Sequence, residues 1–216
     1  MNITVYGATG SVGRRIVGEA LARGHNVTGV ARTKAQLDML PDNVNPCAAD
    51  VCDQQQLFPT IKGQDLAISA LRPPEGYEDT LVPLTHAVLE GAAAAGVRVL
   101  FVGGAARLLV PSAPQRKGET VLSTPDFLPA SAVAIARACQ AQYEHCLRET
   151  RVDWTYLSPA AMLEPGDRTG RYRLGTDTLV VDESGESRIS IEDFAVAMLD
   201  EAEAPKHVRR AFTVGY

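Results

Sequence analysis

Ile3-Thr-Val-Tyr6 runs directly into Gly7-Ala-Thr9-Gly10-Ser11-Val12-Gly13, and a helical pattern follows over Val12–Arg23. A short β-branched and aromatic run predicts a strand, and the glycines predict the turn that ends it. A strand, a glycine turn and a helix in immediate succession make a site for an anion. Successive backbone N–H groups and the positive end of the helix dipole then converge on one point. Gly7 is expected to permit the tight turn, Gly10 to let a phosphate approach the backbone, and Gly13 to let the helix pack closely on the strand. Thr9, Ser11 and Val12 complete the loop around the phosphates of a dinucleotide.

Outward from that loop, short β-branched runs alternate with longer helical patterns. Further strands are expected at Asn26–Ala31, Asn45–Ala49, Leu66–Ala70, Val97–Val102 and Trp154–Leu157. Further helices are expected at Lys34–Leu40, Gln54–Ile61, Thr80–Ala95 and Ser131–Glu149. Pro46 restricts the third strand to a beginning or an edge. The alternation predicts an α/β protein: a doubly wound parallel-sheet Rossmann fold. It stops at Pro159. After it come a turn-rich stretch from Glu164 to Arg173, a short strand at Leu179-Val-Val and a capping box Ser190-Ile-Glu-Asp193 ahead of Phe194–Leu199. Arg210–Val214 is expected to be the last strand. The reading is one domain over 1–216, with a small C-terminal cap over about 160–216 on the substrate side.

The second strand ends Gly29-Val-Ala-Arg32. An acidic residue there would hold a ribose 2′-hydroxyl, whereas a guanidinium can grip a 2′-phosphate with paired hydrogen bonds. Arg32, with Arg14, Arg15 or Lys34 as candidate helpers, points to NADP(H), NAD(H) being the alternative. A solvated arginine at a strand end is the plain structural reading. Asp50-Val51 closes the third βα unit, where a carboxylate can accept from an adenine amino group or simply form a cap or turn. Asp53 reads as the N-cap of the next helix. Ala70-Leu71 and Gly103-Gly104, at the ends of the fourth and fifth strands, are expected along the crevice beside ribose and nicotinamide.

Five residues are candidates for the substrate side. Arg107, like Arg137 on the fifth helix, could face an anionic substrate or be a surface charge. Pro159 ends the sixth strand at the crevice. Met162, with Leu163, offers an apolar wall or core packing. Arg168 and Tyr172 either touch substrate or organise the turn-rich loop.

Composition bounds the function classes. Hydrophobic residues make up 45% of the 216-residue chain and charged residues 22%, enough for a full core. A net charge of −5 argues against nucleic acid and anionic membrane as partners. The N-terminus has no signal-peptide pattern and no apolar run reaches membrane-spanning length, so the expected compartment is the cytoplasm. Cys47, Cys52, Cys139 and Cys146 contain no Cys-x-x-Cys pair and read as reduced thiols; no metal site is expected. The four histidines form no constellation with serine and carboxylate, which argues against a hydrolytic triad.

The Gly-x-x-Gly-x-x-Gly spacing departs from the common Gly-x-Gly-x-x-Gly fingerprint. Together with Val30-Ala-Arg32, Asp50-Val51, Val102-Gly-Gly-Ala, Asp153-Trp-Thr-Tyr-Leu-Ser-Pro-Ala, Met162-Leu-Glu-Pro-Gly-Asp-Arg-Thr-Gly-Arg-Tyr and Ile189-Ser-Ile-Glu-Asp-Phe-Ala, it resembles the atypical short-chain dehydrogenase/reductases. Within them it is similar to the group of NAD(P)H-flavin reductases, biliverdin reductase B and NmrA-like proteins. Central members of that superfamily use Tyr-x-x-x-Lys on the fifth helix, the lysine lowering the tyrosine pKa for acid–base work. Four positions after Tyr6, Tyr77, Tyr143, Tyr156 and Tyr172 stand Gly10, Leu81, Leu147, Ala160 and Thr176. Lys34, Lys62, Lys117 and Lys206 all lie outside the fifth helix, so the dyad is absent. The resemblance then implies an NADPH-dependent reductase of flavins or quinone-like acceptors, flavin being a substrate or loosely bound ligand. The alternative is a non-catalytic NADP(H)-binding redox sensor; a sugar-nucleotide epimerase is disfavoured. The partner is a small-molecule acceptor, and the chain is read as a monomer or homodimer.

Overall fold

A computed structural model describes residues 1–111 and 118–216. Strands β1 (Asn2–Tyr6), β2 (Asn26–Ala31), β3 (Asn45–Ala48), β4 (Leu66–Ser69), β5 (Arg98–Val102) and β6 (Trp154–Ser158) alternate with helices α1 (Ser11–Ala22), α2 (Lys34–Leu37), α3 (Gln54–Ile61), α4 (Leu81–Ala95) and α5 (Ala130–Leu147). Then come β7 (Met162–Glu164), β8 (Arg173–Gly175), β9 (Arg188–Ser190), α6 (Ile191–Glu203) and β10 (Arg210–Gly215). The main sheet has the order β3-β2-β1-β4-β5-β6-β10-β8. All its pairs are parallel except β10 with β8. The chain order reverses between β1 and β4, the switch point at which doubly wound sheets open a crevice for ligand.

The inner strands β1, β4, β5 and β6 are buried on both faces, which is why they read as near-continuous apolar runs. Ile3, Val5, Ile68, Leu100, Leu157 and Phe212 face α1 and α6, packed with Ile16, Val17, Phe194 and Met198. Tyr6, Ala67, Val99, Phe101, Trp154 and Tyr156 point the other way, against Leu57, Val88, Leu89 and Cys146 of α3, α4 and α5. The period of two along each strand sorts the side chains between the two cores.

Differences from the expected elements have local causes. β3 is an edge strand, consistent with Pro46. α2 is a single turn, held by a reciprocal cap between Thr33 and Gln36, and Pro41 follows its end. Leu179–Val181 is not a strand; only Thr178 makes an isolated bridge, to Leu109. The C-terminal third also does more than cap: β10 and β8 complete the main sheet, and α6 lines the α1 face. A third, small core of Leu108, Val121 and Leu179, with Ala105, Phe127 and Val181 packed on it, joins the connection after β5 to the 176–181 loop. Leu109 N–H donates to the Asp177 carbonyl at 2.7 Å and fastens the two segments together.

Candidate cofactor-binding site

The glycine loop divides its work among its members. Gly7 has φ +72°, and a Cβ there would lie 2.6 Å from the Ala70 carbonyl oxygen. The turn therefore presses against the end of β4. A Cβ at Gly13 would lie 2.1 Å from the Gly7 carbonyl oxygen, so the first turn of α1 sits directly on the loop. At Gly10 a Cβ would lie 3.3 Å from the Gly7 carbonyl oxygen, a tight contact but a far milder one than at Gly7 or Gly13. Gly10 is the N-cap of α1; no side chain caps it and the first turn carries no acidic residue. The first-turn N–H groups have no acceptor within the helix, and with the dipole they attract an anion.

A cleft of about 510 Å³ opens beside the loop at the carboxyl ends of β1 to β4. It brings together Gly7, Thr9, Gly10, Arg32, Asp50, Val51, Ala70 and Leu71 from four separate βα turns. Ser11, Val12 and Gly13 stand behind this wall as the first turn of α1. The wall residues that escaped sequence reasoning include Gln36, Cys52, Arg72 and Tyr77. Arg72 was detectable only as the residue directly after the Ser69-Ala-Leu71 strand end; nothing in a sequence marks which loop side chains turn inward.

Arg32 and Arg72 are both exposed, and no hydrogen bond or ion pair engages either among the described residues. Two unpaired guanidinium groups on one cleft suit a polyanion. Of the expected helpers, Arg15 is corrected: its Nε donates to Glu192 of α6 at 2.9 Å and is spent there. Asp50 forms an Asx turn, its Oδ1 accepting from the Cys52 N–H at 3.0 Å. Asp53 caps α3 by accepting from the Gln55 N–H at 2.9 Å.

Gly103 and Gly104 do not line the cleft, and their lack of side chains has an internal reason. A Cβ at Gly103 would lie 2.1 Å from the Tyr156 ring, and one at Gly104 would lie 2.7 Å from Cys139. Tyr156 Oη accepts from the Gly104 N–H at 3.1 Å and donates to the Cys139 carbonyl at 2.9 Å. Burial pushes the Tyr156 hydroxyl well above its ordinary pKa and the Cys139 thiol up to about 11. Both groups stay protonated at neutral pH.

The substrate-side candidates scatter. Pro159 is buried behind β6. Arg107 is consumed: its Nε donates to Ser158 at 3.1 Å, and its other nitrogens reach Asp177 at 2.7 Å and the Thr176 carbonyl at 2.8 Å. Its guanidinium also lies 4.9 Å from the Tyr143 ring centroid, a cation–π contact. Arg168 grips Glu19 of α1, and Tyr172 donates to Asp200 of α6. These two organise the turn-rich segment on the α1–α6 side and do not reach the cleft. Met162 lines a separate depression of about 670 Å³ with Pro165, Thr169, Arg188 and Tyr216, which shares no residue with the cleft.

Asp193 is likewise more than a capping residue. The Ser190 hydroxyl caps α6 by accepting from the Asp193 N–H at 2.9 Å, but the reciprocal half of the box is absent. Instead the fully buried Asp193 carboxylate accepts from Thr169 Oγ1 at 2.5 Å, the Gly170 N–H at 2.8 Å and Tyr216 Oη at 2.8 Å. The Pro-Gly-Asp-Arg-Thr-Gly segment is thus a strap across α1 and α6.

No lysine lies on α5, and Lys117 falls outside the described residues. Among the described residues no cluster of His, Cys, Asp and Glu could hold a metal. None of the described helices is long and apolar enough to cross a membrane.

A parallel sheet with this switch point, an open glycine turn and a cationic cleft defines a nucleotide-binding protein of the doubly wound α/β class. The chain belongs to the NAD(P)H-binding family, whose model matches residues 7–202. It is 34% identical to protein YwnB of Bacillus subtilis (strain 168) over 216 residues, covering 99% of this chain and 98% of that one. Among solved structures it is similar to a candidate epimerase from Bacteroides thetaiotaomicron, with a TM-score of 0.89 and 38% identity over 100% of this chain and 96% of the other. It is also similar to SP1627, a candidate NADH-flavin reductase from Streptococcus pneumoniae TIGR4, with a TM-score of 0.85 and 27% identity over 100% and 99% of the two chains. The cofactor class is therefore a nicotinamide dinucleotide, and the fold is that of the family's oxidoreductases.

Proposed function

We propose that the protein is an NADPH-dependent reductase of flavins or quinone-like acceptors. The observation that carries this reading is the pairing of a cleft holding two unengaged guanidinium groups with a fifth helix that has no lysine to activate a tyrosine. Arg32 stands at the end of β2, where it can meet a ribose 2′-phosphate; Arg72, at the end of β4, faces the same cleft. The loop Gly7–Gly13 seats the pyrophosphate against α1, and Asp50 with Val51 borders the adenine end.

The nicotinamide supplies hydride. Reduction of a simple carbonyl would also require a positioned acid to neutralise the developing alkoxide. Tyr156 is locked between Gly104 and Cys139, and no lysine accompanies Tyr143. A conjugated acceptor avoids that requirement, because its reduced form delocalises charge and exchanges protons with solvent. Such a site needs orientation of two flat rings more than an acid. The same absence weighs against an epimerase, which would depend on the dyad.

The test is oxidation of NADPH by the purified protein on addition of FMN, riboflavin or a quinone. Turnover well above the protein-free rate supports the reductase. Tight NADP+ binding with no turnover across the panel overturns it and leaves a cofactor-sensing regulator.

A further inference from the structure

The loop between β4 and α4 carries an aromatic side chain that the fold does not use. Tyr77 is 63% exposed, the most exposed of the large apolar side chains described, yet it lines the cofactor cleft. Its backbone is pinned: its N–H donates to the Pro74 carbonyl at 3.1 Å, and its own carbonyl accepts from the Thr80 N–H at 3.0 Å and Thr80 Oγ1 at 2.7 Å. Pro73 and Pro74 stiffen the approach. Only the ring is left to move, by rotation about its side-chain torsions. No hydrogen bond or ring contact engages the Tyr77 side chain among the described residues.

The same cleft is also lined by Arg32 and Gln36 after β2 and by Asp50 and Val51 after β3. That end of the cleft is the adenosine end in a sheet of this order, and its walls offer hydrogen bonds and charge but no other aromatic surface. A purine placed between them presents a flat face toward the β4–α4 loop. Stacking would cover a tyrosine ring that now stands in solvent, and an aromatic ring stacks well on any base.

We propose that Tyr77 is an aromatic lid that closes over the adenine of the bound dinucleotide. The inference rests on the cleft being the dinucleotide site. Tyr77 acts as an affinity-determining residue remote from hydride transfer, and it contributes equally to NADP(H) and NAD(H), since both carry the base.

Equilibrium titration of the full chain tests it, with NADPH, 2′-phospho-ADP-ribose and reduced nicotinamide mononucleotide as probes. Because Tyr77 is exposed, Tyr77→Ala and Tyr77→Phe are expected to keep the wild-type urea midpoint. Tyr77→Ala should weaken both adenosine-containing probes roughly tenfold, with Tyr77→Phe close to wild type and the mononucleotide unaffected. Separately, the fluorescence of a Tyr77→Trp variant should be quenched by 2′-phospho-ADP-ribose, while the buried Trp154 of the wild type stays unchanged. If wild type binds the adenosine probes and Tyr77→Ala binds them equally well, the lid is overturned and the cleft assignment stands. If Tyr77→Ala instead weakens only the mononucleotide, the ring covers nicotinamide and the adenine assignment is wrong. If wild type binds no adenosine probe, cleft and lid fall together.

Discussion

Arg168 clasps the carboxylate of Glu19 with two hydrogen bonds, Nε to Oε2 at 2.7 Å and Nη2 to Oε1 at 2.8 Å. Glu19 lies on α1, the helix whose N-terminus follows the glycine loop, and Arg168 lies in the strap before β8. The same carboxylate also accepts from Arg23 Nε at 2.8 Å. One buried acid thereby ties the turn-rich segment to the helix that carries the glycine loop.

That arrangement predicts an acid-sensitive contribution to stability. The hydrogen bond from Arg168, and after it that from Arg23, hold the Glu19 carboxyl down at about 2 against an ordinary value of 4.5, although burial alone would raise it. A lowered folded-state pKa gives stabilisation that is complete above 4.5 and lost as pH falls toward 2. Urea unfolding followed across this range should show stability falling with pH, and Glu19→Gln should make that slope shallower. Glu149, lowered to about 2 chiefly by Arg151, contributes over the same range, so some slope persists. An identical slope in the variant would disprove the role given to Glu19.

Asp193→Ala should destabilise the protein by about 2–3 kcal/mol, because it leaves the Gly170 N–H without an acceptor and reduces Thr169 and Tyr216 to the Arg171 carbonyl at 3.3 Å and Ser190 Oγ at 2.8 Å. Limited proteolysis should then cut the 165–171 strap faster than in wild type. Arg23 and Glu203 on the same face keep their own ion pair, so the loss should be local to the strap.

The glycines of the loop separate by the space around them. Gly13→Ala places a methyl against the Gly7 carbonyl and should weaken NADPH binding more than tenfold while lowering the melting temperature. Gly10→Ala meets a milder 3.3 Å approach to the same carbonyl and should cost much less stability than Gly13→Ala while hindering the phosphate. Gly103→Ala should cost about 1–3 kcal/mol by overpacking against Tyr156, without a direct effect on the cofactor. Thermal melts paired with NADPH titration distinguish the three patterns.

On the proposed NADP(H) reading, Arg32→Asp should shift preference from NADPH toward NADH by at least tenfold, since it would set a negative charge against the 2′-phosphate. Arg72→Met should weaken both cofactors to a similar degree, because its position at the end of β4 is away from the 2′-phosphate. Dissociation constants for both cofactors with both variants check this; equal NADPH and NADH affinities in wild type and Arg32→Asp would remove the basis for NADP(H) selectivity.

The features legible in the sequence are those that depend on residues near one another in the chain. Ile3–Tyr6 followed by three spaced glycines specifies strand, turn and helix through local backbone geometry, and repetition of that unit specifies the sheet. Asp53 caps its helix across two residues, well within local reach. Tertiary packing alone decided what the side chains of other marked residues do. Arg168, Tyr172 and Asp193 are turned to the α1–α6 face by partners as many as 149 residues away. Arg107 is drawn to Ser158, Thr176 and Asp177, and Gly103 yields its space to Tyr156. Arg72 and Tyr77 enter the cleft only because β4 lies beside β1. Which charges are neutralised, and which remain free to bind, follows from long-range pairing.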